Sequence, residues 1–398
     1  METMQVPKGI YLDASMDLIY PQGAKMTDGF PEDLRPVLHP HWESFPPQNP
    51  LILYCFGIFL MALSVICLVI NASILYVFVT AKSLRSAVSM FFFQSKIHPN
   101  IFALNFQSNI FTVNLALSDF LMMLTHCPLV SMNIFMSKFF LWGKYGCYLY
   151  ACLGGIFGTT SILTMVAIGW ERYNIIVKGM ASQPITLMKA LIIVAFIWIY
   201  AIISACPPFF FQWGGYNLEG LLYTCTYDFL TEDWNHQSFI LATFVNHWLL
   251  PMLLIVYFYS RIVKAVIAHE AALKAQAKKM GLKSIKYEGS DQDSAEIRIA
   301  KVATTNVLIW ALAWTPYAMV CLIGCFGNRS IITPLVSQIP AFFAKTACCF
   351  NPMVFALSHP KLRQAMAEKL PCLGIKEDFD PPHKSTDHND AEKGMEMQ

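Results

Sequence analysis

Residues 343–360 read FAKTACCFNPMVFALSHP, and the lysine at position 345 decides how the rest of the chain is read. Lys345 is the only lysine or arginine between Arg329 and Lys361, and Ile331 to Ser358 carries no other charge. At about 1.5 Å of rise per residue, such a run is long enough to cross a bilayer as a helix. Lys345 stands 11 residues after Pro334 and 14 before His359. Each end therefore lies roughly 16 Å or more away, beyond the ~6 Å over which a lysine snorkels to water. An ionisable group at the membrane centre costs about 3 kcal/mol on insertion scales, so it marks either a function or a paired, wetted lysine. The run alone leaves both readings open.

The composition supports a membrane protein. Of 398 residues 56% are hydrophobic and 14% charged, whereas a soluble domain carries about a quarter charged residues. The net charge of +2 gives no reason to expect nucleic acid as a partner. Twelve cysteines are scattered through apolar runs without zinc-like pairing, and no metal is expected. Residues 1–50 form a polar, proline-punctuated tail unlike a signal peptide, so the first apolar span is expected to direct insertion.

Seven apolar stretches follow, near 51–78, 109–135, 145–177, 187–210, 238–268, 298–325 and 334–357. They predict an all-α, seven-helix transmembrane bundle over 51–358. Connections after the first, third and fifth stretches hold Lys82, Arg85, Lys178, Arg261, Lys264, Lys274, Lys278, Lys279, Lys283 and Lys286. Those after the second, fourth and sixth hold only Lys138, Lys144 and Arg329, which places the N-terminus outside and the C-terminus in the cytosol. Residues 359–372 predict a short amphipathic helix lying on membrane lipid, and 373–398 a disordered tail. Cys372 is a palmitoylation candidate or a free surface cysteine. Of the N-x-S/T matches, Asn71 falls inside a span, which leaves Asn328 as the glycan candidate.

One polar or punctuating group recurs in each span: Asn71, Asp119, Glu171-Arg172-Tyr173, Trp198, Pro251, Trp314-Thr315-Pro316-Tyr317 and Asn351-Pro352. In this order they resemble the rhodopsin-like class of G-protein-coupled receptors over nearly the whole chain. The physics suits a switch. Asp119 is a buried carboxylate that must be neutral or paired, through water to Asn71 and Asn351. Arg172 can pair with Glu171, and the resemblance adds a tie to Glu296 on the sixth span. It also implies a disulfide between Cys147 and Cys225.

Lys345 precedes Asn351 by six residues, the spacing at which opsins hold retinal as a Schiff base. The resemblance thus implies a retinal cofactor, 11-cis-retinal or a relative, on Lys345. It also implies a pocket including Tyr150, Gly158, Trp314 and Tyr317, and a receptor rather than an enzyme. A protonated imine needs an anion. Vertebrate visual opsins place it three residues after the third-span cysteine; here that position is Tyr150, which is no anion near neutral pH. The next candidate is Glu219, six residues before Cys225, where invertebrate visual opsins also carry glutamate; the resemblance assigns it as counterion, the alternative being a solvated loop acid. HEAALKAQAKKMGLKSIK, AEIRIAKVA, SHPKLR, VKG and HPHWESFPPQNP resemble rhabdomeric opsins of arthropods, with a lean toward their middle- to long-wavelength branch. That resemblance implies coupling to a Gq-class G protein and control by arrestin. Competing readings are a weakly signalling retinal photoisomerase, and a ligand-activated receptor in which Lys345 is incidental.

Two departures stand out. Phe355 replaces the tyrosine most relatives carry in the seventh-span motif. Asn71 to Asp119 is 48 residues, about 20 more than the family uses, and the surplus is VSMFFFQSKIHPNIFALNFQ, 88–107. Its ends reverse-translate to intron donor and acceptor consensus, and 20 residues make an in-frame 60 bases. It is read as a retained intron, or otherwise as an atypical loop insert.

Overall fold

The structure, a computed structural model, describes residues 11–12, 18–19, 23–81, 102–136, 140, 142–179, 185–279, 290–351 and 360–371. The apolar stretches form helices whose starts are set by local chemistry. Helix α1, Pro50–Thr80, begins where the Asn49 side chain accepts the Leu51 amide at 2.8 Å and Pro50 fills the first turn, which needs no N–H. Helices α2, Phe102–Phe135, and α3, Gly143–Tyr173, follow; α3 runs on into a π turn, Asn174–Lys178. Helix α4, Leu187–Ala205, starts on a Thr186 cap. Helix α5 comprises Trp234–Phe244, a π turn Val245–Leu249 and Leu250–Lys279, and Asp233 caps its start by accepting the His236 amide at 2.8 Å. Pro251 explains the π turn: it offers no N–H to the His247 carbonyl four residues back, so the winding widens there.

Helix α6, Ser290–Phe326, contains Pro316. Helix α7, Pro334–Lys345, starts at the Thr333 cap, whose hydroxyl accepts the Val336 amide at 3.3 Å. Among the described residues six helices are long and apolar enough to cross a membrane. The seventh span, expected as one run over 334–357, is instead interrupted directly after Lys345. Thr346 forms a turn in which its amide and its hydroxyl both bond the Phe343 carbonyl, at 3.0 and 2.7 Å, and winding resumes over 347–351. A hydroxyl that competes for a helix carbonyl is a known local disturbance. Helix α8, Pro360–Lys369, lays Leu362, Ala365 and Met366 against Ile74, Val77 and Phe78 of α1.

Pro352, Phe355, Cys372 and most of 88–107 lie outside the described residues. Helix α2 begins at Phe102 and so includes the last six residues of that surplus segment.

Among the described residues there are also two short antiparallel hairpins: β1, Tyr11–Leu12, with β2, Leu18–Ile19, and β3, Tyr216–Glu219, with β4, Thr224–Tyr227. The second pairs Leu218 with Cys225 and Glu219 with Thr224, and it lies over one end of the bundle as a lid. The N-terminal tail is folded too. It winds through 3-10 turns Glu32–Val37 and Pro40–Ser44, and packs Met26, Phe30, Leu34, Val37 and Trp42 into the core beneath which α3 and the lid meet.

Candidate functional site

A cavity lies between α3, α5, α6, α7 and the lid hairpin, and Lys345 opens into it from the end of α7. Its volume is about 160 Å³, roughly ten times what one water needs. Its wall is mainly aromatic and aliphatic, with a few convergent polar groups, the usual make-up of a site for a sizeable apolar ligand. Tyr150, Gly158, Trp314 and Tyr317, the pocket residues expected from the sequence, all line it.

Glycines in α3 make the space. A Cβ on Gly158 would meet the Trp314 ring at 3.4 Å, and one on Gly155 would collide with the Tyr227 hydroxyl. Trp314 stacks on Trp310 with ring centroids 5.5 Å apart, and the Tyr317 hydroxyl bonds Thr226 of β4, tying α6 to the lid. Tyr150 packs on His126, centroids 4.2 Å apart. The π turn of α5 brings His247 and Trp248 onto the same cavity. Thr226, Tyr227, Trp310, His247 and Trp248 had no sequence signal of their own, because cavity membership depends on helix rotation.

Glu219 faces this cavity from the lid and is 2% exposed. Burial pushes its carboxyl up to about 7, while Lys345 and the Thr224 hydroxyl pull it back down. Its Oε2 accepts Thr224 Oγ1 at 3.2 Å; its Oε1 has no hydrogen-bond partner among the described residues. Gln338, two turns before Lys345, accepts the Thr224 hydroxyl at 3.0 Å and the Leu221 amide at 3.3 Å. The lid is anchored by the Cys147–Cys225 disulfide, with Cα atoms 5.3 Å apart, as the sequence reading expected. Gly220, beside Glu219, lets the hairpin lie against α7, since a Cβ there would come 2.5 Å from the Pro334 carbonyl. Asn328 sits exposed in the short α6–α7 connection, where its side chain caps Ser330.

Toward the other end of the bundle, Asp119 is buried and accepts Ser161 Oγ at 3.0 Å and Asn351 Nδ2 at 2.9 Å. Asn71 reaches the resumed part of the seventh span by another route, donating to the Cys348 carbonyl at 3.1 Å. Asn306 of α6 donates to the Asn351 carbonyl at 3.3 Å, so α2, α6 and the seventh span meet at one residue. At the end of α3, Arg172 Nη2 lies 3.4 Å from Glu171 Oε2, both groups buried. Tyr173 is partly buried against Tyr257 and Phe258. Glu296 lies within α6, and its side chain is outside the described residues.

A bundle of membrane-length helices with a lidded cavity at one end and a buried acid–arginine pair at the other is the architecture of a heptahelical receptor. The description "7 transmembrane receptor (rhodopsin family)" matches residues 103–355. Compound eye opsin BCRH2 of Hemigrapsus sanguineus is 41% identical over 367 residues, 92% of each chain. Lateral eye opsin of Limulus polyphemus is 37% identical over 90% of each chain. The crystal structure of squid rhodopsin superposes with a TM-score of 0.74 at 34% identity, covering 86% of this chain and 92% of that one. The chain belongs to the rhodopsin family of seven-transmembrane receptors, within it to the arthropod-type rhabdomeric opsins. It is accordingly a multi-pass membrane protein and a receptor, not an enzyme.

Proposed function

We propose that the chain is a visual pigment that binds retinal on Lys345, uses Glu219 as counterion and activates a Gq-class G protein in response to light. The observation that supports this most is that Lys345 and Glu219, from different elements, open into one largely apolar cavity. Retinal, when bound, supplies an aldehyde that condenses with the Lys345 amine with release of one water, and a polyene that isomerises on absorbing light. The chain's residues suit that group. Glu219 stabilises the proton on the lysine nitrogen by charge, and its unpartnered Oε1 is the acceptor free to face it. Trp310, Trp314 and Tyr317 exclude water and sit where a change of ligand shape presses on α6. The Asp119–Asn351 bond and the Glu171–Arg172 pair, with Glu296 as a further tie, hold the inactive arrangement. Their release lets α6 swing about Pro316, and α7 about Pro352, to admit the G protein.

In this reading the lid end faces outward, as the lysine and arginine distribution implies, and the C-terminus is cytoplasmic. Asn328 is then an outward glycan acceptor, α8 rests on inner-leaflet lipid with Cys372 palmitoylated beside it, and arrestin ends the signal. Residues 88–107 are a retained intron; an eye cDNA amplicon lacking the 60 bases supports this, and a single product containing them contradicts it.

The functional test is to express the chain, add 11-cis-retinal, and record the spectrum and light-dependent nucleotide exchange on Gq. The expected result is a visible band absent from Lys345→Ala, with exchange. Absence of any band in the wild type overturns the pigment reading, and a band without exchange favours a photoisomerase.

A further inference from the structure

Two consecutive residues of the N-terminal tail touch the lid strand that carries Glu219 and the connection leading into α7, the helix that carries Lys345. Trp42, at 0% exposure, donates its indole N–H to the Leu218 carbonyl at 3.0 Å. Leu218 is the β3 residue directly before Glu219. The neighbouring His41 bonds through Nε2 to the Ile332 carbonyl at 2.8 Å. Ile332 immediately precedes Thr333, the cap on which α7 is built. The dipeptide is itself held rigid: His39 Nδ1 accepts the His41 amide at 3.1 Å, and the His41 ring stands edge-on to Trp42 with centroids 4.8 Å apart. A buried indole whose only polar atom reaches a backbone carbonyl is spent on orientation as much as on burial.

We propose that His41-Trp42 is a staple that sets the lid strand against the start of α7, and so fixes Glu219 relative to Lys345. The inference rests on the proposed roles of those two residues. Trp42 is a positioning residue in this account and does not touch the ligand. Its indole holds the carbonyl next to the counterion, and His41 holds the carbonyl beside the first turn of the lysine's helix. Without the staple, the hairpin keeps its disulfide but shifts relative to α7, the carboxylate moves away from the lysine nitrogen, and water enters.

The test uses the full chain reconstituted with 11-cis-retinal in the dark. Trp42→Phe keeps an apolar ring and deletes the N–H; His41→Phe deletes the other bond. The readouts are the alkaline titration of the visible band, which gives the pKa of the protonated imine, and the rate of dark bleaching by hydroxylamine. Each variant is expected to lower that pKa by about one unit or more, a tenfold change in the proton equilibrium, and to speed bleaching severalfold. In a Glu219→Gln background, where the same imine pKa is read by titrating from the acid side, the Trp42→Phe increment in that pKa should vanish, because the effect is exerted through Glu219. If Trp42→Phe yields no visible band, His41→Phe decides by the same measures. The staple is overturned if the variant that forms pigment titrates and bleaches like the wild type, or if its increment persists in Glu219→Gln. The underlying reading fails separately, through a wild type without a band or a Glu219→Gln change that leaves the titration unmoved.

Discussion

Glycines at the cavity wall are not equivalent, and the difference is measurable. Gly155→Ala places a methyl on the Tyr227 hydroxyl, and overpacking of this kind costs about 1–3 kcal/mol. Tyr227 must turn into the cavity, so retinal uptake should fall sharply. Gly158→Ala meets Trp314 only at ordinary contact distance, 3.4 Å, and should bind retinal with no more than a shifted absorption maximum. Reconstitution yield of the two variants checks this. Glu219 makes a second prediction, for the protein without retinal. Its carboxyl is raised by burial from an ordinary 4.5 to about 7, so between those values the folded chain holds a proton that the unfolded chain has lost. That contribution is fully present below pH 4.5 and disappears as the pH rises through 7. The melting temperature of Glu219→Gln relative to wild type should therefore increase over that window. A difference flat with pH would contradict the burial account. Both predictions concern residues of unequal legibility. Lys345 announces itself as a charge out of place and Glu219 is reached through the family resemblance, whereas Tyr227 is one aromatic among many until the backbone brings it over Gly155.

At the scale of elements, apolar run length placed α1, α3 and the starts of α4 and α7 to within a few residues, because burial in lipid demands about twenty of them, whereas α2 and α6 begin, and α5 ends, well outside the apolar stretches. What it did not show is where helices depart from regular winding. The π turn Val245–Leu249 follows from Pro251, and the break after Lys345 from the Thr346 hydroxyl. Both turn on one or two local hydrogen bonds, made or missing, and leave no trace in hydropathy. Pro251→Ala restores the missing donor and should close the extra residue. His247 and Trp248 would then turn by about 100°, the angle of one helical residue, away from their present places on the cavity. The expected outcome is a displaced absorption maximum with folding intact. An unchanged spectrum would mean that those two side chains do not shape the site.

For the molecule as a whole, two covers meet above one cavity. The lid hairpin is tied to α3 by Cys147–Cys225, and the tail is tied both to the hairpin and to the connection leading into α7. The first tie was expected from a family resemblance alone, since the spacing of two cysteines 78 residues apart does not define a pair. The tail contact was not legible: HPHWESFPPQNP carries no periodicity, and its meaning appears only when Trp42 is found buried against β3. Cys225→Ser removes a cross-link worth about 2–4 kcal/mol and should leave a chain that melts early and takes up little retinal. Equal stability of variant and wild type would show that the tail alone holds the lid.

The central claim is that Lys345 and Glu219 form one functional pair across the cavity. Its most direct test is the absorption spectrum, at neutral pH, of Glu219→Gln reconstituted with 11-cis-retinal. Loss of the anion should deprotonate the imine, so the visible band should give way to a near-ultraviolet one that acid converts back. A visible band that persists in Glu219→Gln and titrates as in the wild type would contradict the account.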